Sequence, residues 1–179
     1  VNFPKSRSDA PITIELNGRR IFAKGSNWVN PEIFTGNITK ETYYTQVDYA
    51  YEAHMNIFRC WGGAIIDKDD FFDRCDEKGI MVWQDHLIAN TSATQSFRQD
   101  ISESQESYNI YRIRNHSSLV IHCGGNEFDP YSINNAASMF VIDRTVRTLD
   151  PSKIFHYTTL VAHLTQLHQM KPSLVLVMA

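Results

Sequence analysis

Asn27, Arg59, Asp85 and Glu127 each close, or fall just after, a short apolar segment, and helix-period stretches separate these segments. The apolar segments cover 24–28, 55–60, 80–83 and 119–123, with a fifth at 154–158. Between them the spacing predicts helices. Thr39 caps a helix to about residue 54, with Tyr43, Val47, Ala50, Tyr51 and His54 on one face. Asp67 is expected to cap a second, carrying Asp70 in its first turn, Phe71, Phe72 and Cys75 as its apolar stripe, and Gly79 as its stop. A third helix ends near residue 115, and a fourth covers 132–149, closed by Asp150-Pro151. Strands alternating with helices imply a parallel sheet, and apolar strands without polar alternation imply burial on both faces. Two architectures answer to this: an open doubly wound sheet and a (β/α)8 barrel. An open sheet would spread the four strand-end residues along an edge, whereas a barrel gathers them at one mouth. The reading is therefore an α/β fold, a partial (β/α)8 TIM barrel covering about strands 1–5. Full barrels typically take about 250 residues.

Ahead of the first barrel strand, 12–16 and 20–23 flank Asn17-Gly18, a hairpin signal. The chain starts with Val1, and residues 1–11 lack the charged start and apolar run of a signal peptide. A chain cut from a longer protein is expected. At the other end, 160–179 contains no Gly, Asp, Glu, Trp or Tyr, where a barrel loop should carry turn and site chemistry. The expected division is thus 1–16 as a junction, 17–159 as the barrel half, and 160–179 as an atypical tail in a non-native reading frame. An ordinary fifth helix is the alternative for the tail.

Composition narrows the partners. With 17 basic and 20 acidic residues, a net charge of −3 and no basic stripe, a nucleic-acid partner has no electrostatic support. No apolar run is long enough to span a bilayer, so no membrane partner is expected. Cys60, Cys75 and Cys123 form neither a disulfide framework nor a zinc pattern, and no metal is expected. Aromatic residues, 12% of the chain, suit either a core or a sugar-binding cleft.

Glu127 follows a buried strand and the pair Gly124-Gly125, and Asn126 beside it can donate an amide hydrogen bond to a sugar hydroxyl. From residues alone two readings stand: a catalytic carboxyl, or a loop glutamate favouring the positive end of the next helix. The run from Asn17 through Lys24-Gly25-Ser26-Asn27-Trp28 resembles the entry to the barrel in glycoside hydrolase family 2. Phe58-Arg59-Cys60-Trp61-Gly62-Gly63 resembles the second-strand motif of its β-mannosidase branch. Phe71-Phe72-Asp73-Arg74-Cys75 through Trp83-Gln84-Asp85 is similar to the helix and third strand there. His122-Cys123-Gly124-Gly125-Asn126-Glu127 resembles the fourth-strand motif that carries the acid/base.

That resemblance implies a retaining exo-β-glycosidase acting by double displacement on terminal β-linked sugars. Two carboxyl groups about 5–5.5 Å apart flank the scissile bond, and the acid is held protonated by burial and by its partner's charge. It implies Glu127 as general acid/base, Asn126 as the ligand of the substrate 2-hydroxyl, and Arg59 as support for the nucleophile's carboxylate. Trp61 and Asp85 fall at substrate-contacting positions, and Trp28 and Asn27 line the same mouth. Arg59 as a structural salt bridge, Trp28 and Trp61 as packing, and Asp85 as a cap are the structural alternatives. No cofactor is implied. The family's nucleophile, a glutamate ending the seventh strand, has no match here, so the isolated chain is expected to be inactive. His86 stands where the branch more often has an aromatic residue. The β-sandwich domains that usually precede the barrel, and the downstream barrel half, are the expected missing partners, with carbohydrate as substrate. A periplasmic or secreted location is the family expectation. β-Mannoside leads as substrate, ahead of β-galactoside and β-glucosaminide; the other reading is a non-catalytic carbohydrate-binding or inactive truncated barrel.

Overall fold

The computed structural model describes residues 14–89, 99–129 and 135–159. Strands β1 (Ile14–Leu16) and β2 (Arg19–Ile21) form the expected antiparallel hairpin through Asn17-Gly18. Next come β3 (Gly25–Trp28), α1 (Lys40–Glu52), β4 (Ile57–Cys60), α2 (Asp69–Lys78) and β5 (Met81–Asp85). Then follow α3 (Gln99–Ile113), β6 (Leu119–Cys123), α4 (Ala136–Leu149) and β7 (Ile154–His156). Strands β3 to β7 make one sheet in chain order, every neighbouring pair parallel. This is an α/β fold with a five-stranded parallel sheet and flanking helices, a partial (β/α)8 barrel. Among the described residues, no helix is long and apolar enough to cross a membrane. The expectations for 1–13 and for the tail 160–179 lie outside the described residues, as does the start of the fourth helix at 132.

Side chains alternate across the strands, with a register irregularity where β5 pairs with β6 at Val82/Trp83 that turns Leu119 and Ile121 to opposite faces, and the core sorts into layers. One set faces the helices: Trp28, Phe58, Cys60, Val82 and Leu119 pack with Tyr43 and Val47 of α1 and Phe71, Phe72 and Cys75 of α2. Full burial of such side chains contributes roughly 1.5–3 kcal/mol each. The opposite set faces inward: Ile57, Trp83, Ile121 and Cys123 cluster there, with Ile14 and Ala23 of the hairpin region packed against them. The hairpin therefore contributes to the inner core. A third cluster, Ile110, Ile142 and Val146, seats α3 and α4 against Phe155 of β7.

Helix ends follow local chemistry with one correction. Thr39 caps α1, its hydroxyl accepting from the Thr42 N–H at 3.3 Å. Gly79 ends α2 in the left-handed conformation, φ 69°. The N-cap of α2 is Lys68 and not Asp67. Asp67 is drawn into the core instead, where its carboxylate accepts from Trp28 Nε1 at 2.9 Å, the Tyr43 hydroxyl at 3.0 Å and Asn30 Nδ2 at 2.8 Å. Three donors outcompete one helix N-terminus.

Candidate functional site

On the inner face, Arg59 sits where the strand ends converge. Its Nε donates to Asp85 Oδ1 at 3.3 Å and its Nη2 to Asp85 Oδ2 at 2.5 Å. Nη1 reaches Asn27 Oδ1 at 3.1 Å. Nη2 also reaches Asn126 Oδ1 at 2.6 Å and Thr159 Oγ1 at 2.8 Å. One guanidinium on β4 thus touches side chains at the ends of all four other strands of the sheet. The fork geometry of arginine suits this role, and lysine could not reproduce it.

Asp85 lies beneath that guanidinium with a fully buried side chain, 0% exposed against 12% for Arg59. Besides Arg59 it accepts from Trp83 Nε1 at 3.0 Å and the Gly62 N–H at 3.3 Å. Burial pushes its carboxyl above the ordinary carboxylate range, and the Arg59 charge opposes that. The structure places Asp85 as the anchor of Arg59, sealed from the mouth.

Asn126 and Glu127 lie just beyond β6. The chain there is held from both sides: Asn126 makes isolated parallel bridges to Ala89 and to Thr159. Its N–H donates to Ile88 O at 2.8 Å, and the Glu127 N–H donates to Thr159 O at 3.1 Å. The glycines before them permit close approach, but it is the protein's own chain that approaches. A Cβ on Gly124 would meet Tyr157 O at 2.4 Å, and one on Gly125 (φ 151°) would meet Ile88 O at 2.5 Å. Asn126 is buried, and Glu127 is exposed with a positive φ of 49°. The expected burial of the acid is not present in this structure. The left-handed backbone is a local strain of the kind that persists where surrounding contacts enforce it.

The remaining predicted residues divide by strand parity. Asn27 is exposed on the inner face beside Arg59. Trp28, the next residue, must point the other way. It is 7% exposed, packs against Phe58 and Phe71 in the helical layer, and does not line the mouth. Trp61 is half-buried in the loop after β4, its ring lying across Gly63, where a Cβ would meet it at 2.1 Å. His86 likewise follows Asp85 onto the outer face, where it pairs with Glu106 and stacks on His122 with ring centroids 5.3 Å apart. Thr159 joins the set without having been predicted, because the fifth strand was expected to end at 158.

An acidic cluster with a histidine lies elsewhere. Asp73, Asp76 and His116 bring ligand atoms within 4.8 Å of one another. Asp76 already accepts from His116, Ser117 and the Ser118 N–H, tying the end of α2 to the start of β6. This is the opposite end of the strands from Arg59, and it reads as a structural tie.

The fold is that of a partial (β/α)8 barrel, and similarity to known proteins relates it to glycosidases. No protein-family model matches the chain. Over 119 residues, 63% of this chain, it is 37% identical to a β-mannosidase of Rattus norvegicus, of which it covers 13%. The crystal structure of a β-D-mannosidase from Dictyoglomus thermophilum superposes with a TM-score of 0.78 at 28% identity, covering 88% of this chain and 21% of that one. The apo structure of β-glucuronidase 3 from Bacteroides uniformis shares the fold, with a TM-score of 0.66 at 22% identity over 79% of this chain and 19% of that one. The chain thus has a glycosidase fold related to the family 2 clan, and it spans 13% of the length of the mannosidase relatives it resembles.

Proposed function

We propose that this chain forms the acid/base side of a retaining exo-β-glycosidase of β-mannosidase type. The observation that carries the reading is the Asn126–Glu127 pair, an exposed carboxyl in a strained backbone beside an amide locked to Arg59. Arginine only donates, so the oxygen end of the Asn126 amide must face it, and a substrate hydroxyl would meet the amide as a donor. Glu127 protonates the glycosidic oxygen as the bond breaks and later takes the proton from incoming water. Asn27 and Trp61 stand near the same mouth as secondary contacts. The 37% identity to a β-mannosidase supports mannoside over galactoside or glucosaminide. The nucleophile comes from a strand outside this chain, and a secreted or periplasmic setting accompanies the reading.

The test is Glu127→Gln in the enzyme carrying the whole barrel. Turnover of alkyl β-D-mannosides should fall by about 10²–10⁴-fold. The loss should be smaller for 2,4-dinitrophenyl β-D-mannoside, whose leaving group needs no proton. Equal loss on both substrates, or none, overturns the assignment. A second reading, carbohydrate binding without hydrolysis, draws on the sealing of Asp85: the other inner-face carboxylate is ion-paired and 0% exposed. Saturable sugar binding with no turnover would favour it.

A further inference from the structure

We propose that Gly63 is a positioning residue for the Trp61 indole, whose ring lies face-down on its backbone and offers the other face to a sugar; this rests on the reading that the mouth takes a β-glycoside. The ladder between β3 and β4 runs on past the strands, because the Trp61 N–H donates to Trp28 O at 3.0 Å. Alternation carries through with it, so Trp61 leaves the chain on the same side as Arg59, two residues earlier. A tight turn follows, closed by the Ala64 N–H donating to Trp61 O at 3.1 Å. The ring folds back over this turn. A Cβ on Gly63 would come within 2.5 Å of Cη2, Cζ2 and Cζ3, three successive atoms of the six-membered ring. An approach along the edge would meet one or two of them; meeting all three puts that Cβ over the ring face.

The turn beneath the ring is fixed. The Gly62 N–H donates to Asp85 Oδ2 at 3.3 Å, and a Cβ on Gly62 would meet His86 O at 2.5 Å and Ile88 O at 2.7 Å. Asn30 holds the far side, its amide oxygen accepting from the Ile65 N–H at 3.0 Å and its Nδ2 donating to Ile65 O at 2.9 Å. A methyl at residue 62 would therefore collide with backbone. A methyl at residue 63 has only atoms of the Trp61 ring as its nearest neighbours, so the indole is the part that yields. Trp61 is half-buried, and among the described residues no other ring stacks on it and no acceptor meets its Nε1–H. An aromatic face with a donor at its rim suits a pyranose, whose C–H face packs on the ring and whose hydroxyl accepts from the indole. Bare backbone at residue 63 sets the height and tilt of that ring. Alanine there lifts the indole into the space the sugar takes, while the turn stays in place.

The experiment uses the enzyme carrying the whole barrel. Gly63→Ala should raise KM for p-nitrophenyl β-D-mannoside about tenfold and leave kcat within about threefold, because the ring holds ground state and transition state alike. In a Trp61→Ala background the same substitution should change KM by less than about twofold, since its effect passes through the ring. Wild-type KM in Gly63→Ala, or a further tenfold rise in the Trp61→Ala background, overturns the role. If the wild-type enzyme neither binds nor cleaves a mannoside, the glycosidase reading fails separately, and 5-fluorotryptophan labelling decides for Gly63. The fluorine resonance of Trp61, assigned by its loss in Trp61→Ala, should move in Gly63→Ala while those of Trp28 and Trp83 stay. An unmoved Trp61 resonance overturns the role. Should Gly63→Ala fail to fold, Gly63→Ala is combined with Trp61→Ala. Folding of the double variant supports the contact, because the ring in the way is gone, and a second failure to fold overturns it.

Discussion

Arg59 and Asp85 meet at two points across neighbouring strands, Nε to Oδ1 and Nη2 to Oδ2, with the Asp85 side chain wholly out of solvent. Removing one partner leaves a buried charge without compensation, which costs roughly 3–5 kcal/mol. Asp85→Ala also orphans Trp83 Nε1. Its urea denaturation midpoint should drop by that equivalent. Arg59→Met with Asp85→Leu should recover much of the lost stability, because no charge remains buried. The double variant should still lose sugar binding, because Asn126 no longer has its arginine. A single Asp85→Ala variant as stable as wild type would show that the pair is not the anchor described.

Trp28 supplies a contrasting prediction. Its indole N–H donates to Asp67 inside the helical layer, on the far side of the sheet from Arg59. Trp28→Phe keeps the ring packing and removes the donor, costing about 1–3 kcal/mol for the acceptor left with one partner fewer. Sugar affinity should not change. A selective loss of affinity with unchanged stability would return Trp28 to the mouth.

Much of this was legible in the sequence, and the misplacements have a common cause. The five parallel strands and their helices follow from apolar segments alternating with helical spacing, and Thr39 and Gly79 mark helix ends by their own chemistry. Strands buried on both faces carry no polar alternation, so the sequence does not state which residues face inward. Parity alone could have helped: Asn27 and Trp28 are consecutive, as are Asp85 and His86, and only one of each pair can face Arg59. Asp67 as a core acceptor was not readable, because its donors Trp28, Asn30 and Tyr43 come from distant segments. Thr159 was hidden for the same reason, since it meets Arg59 across 100 residues of chain.

His122 is expected to make the protein's stability depend on pH. Its ring is buried against His86, which pairs with Glu106, while Asp150 bonds its Nε2 at 3.1 Å and Lys153 adds a nearby positive charge. Burial first, and then the charge of His86, lower its pKa to about 4, with Asp150 opposing. The unfolded chain therefore binds a proton near pH 6.5 that the folded protein refuses until about pH 4. Stability should be full above pH 6.5 and fall by about 1–3 kcal/mol as pH drops through that window. Urea midpoints at pH 7.5, 6 and 4.5 measure the slope, and His122→Gln should flatten it. An equal slope in both proteins would assign the acid sensitivity to other groups.

Glu127 combines an exposed side chain with a left-handed backbone at φ 49°. For an L-residue that conformation costs roughly 1–2 kcal/mol, whereas glycine adopts it freely. Glycine pays about 0.5–1 kcal/mol in unfolded-chain entropy, so Glu127→Gly should melt at or above the wild-type temperature. Glu127→Val, whose branched side chain tolerates this region poorly, should melt lower. An exposed surface glutamate of no function would give the same stability order, so activity is read beside it. In the enzyme carrying the whole barrel, both variants should lose turnover of unactivated β-mannosides. A Gly variant that is more stable and inactive would mean that the strain at residue 127 is maintained for the carboxyl placed there. A Gly variant markedly less stable than wild type would mean that the Glu127 side chain holds the loop, and the strain would then carry no argument for catalysis.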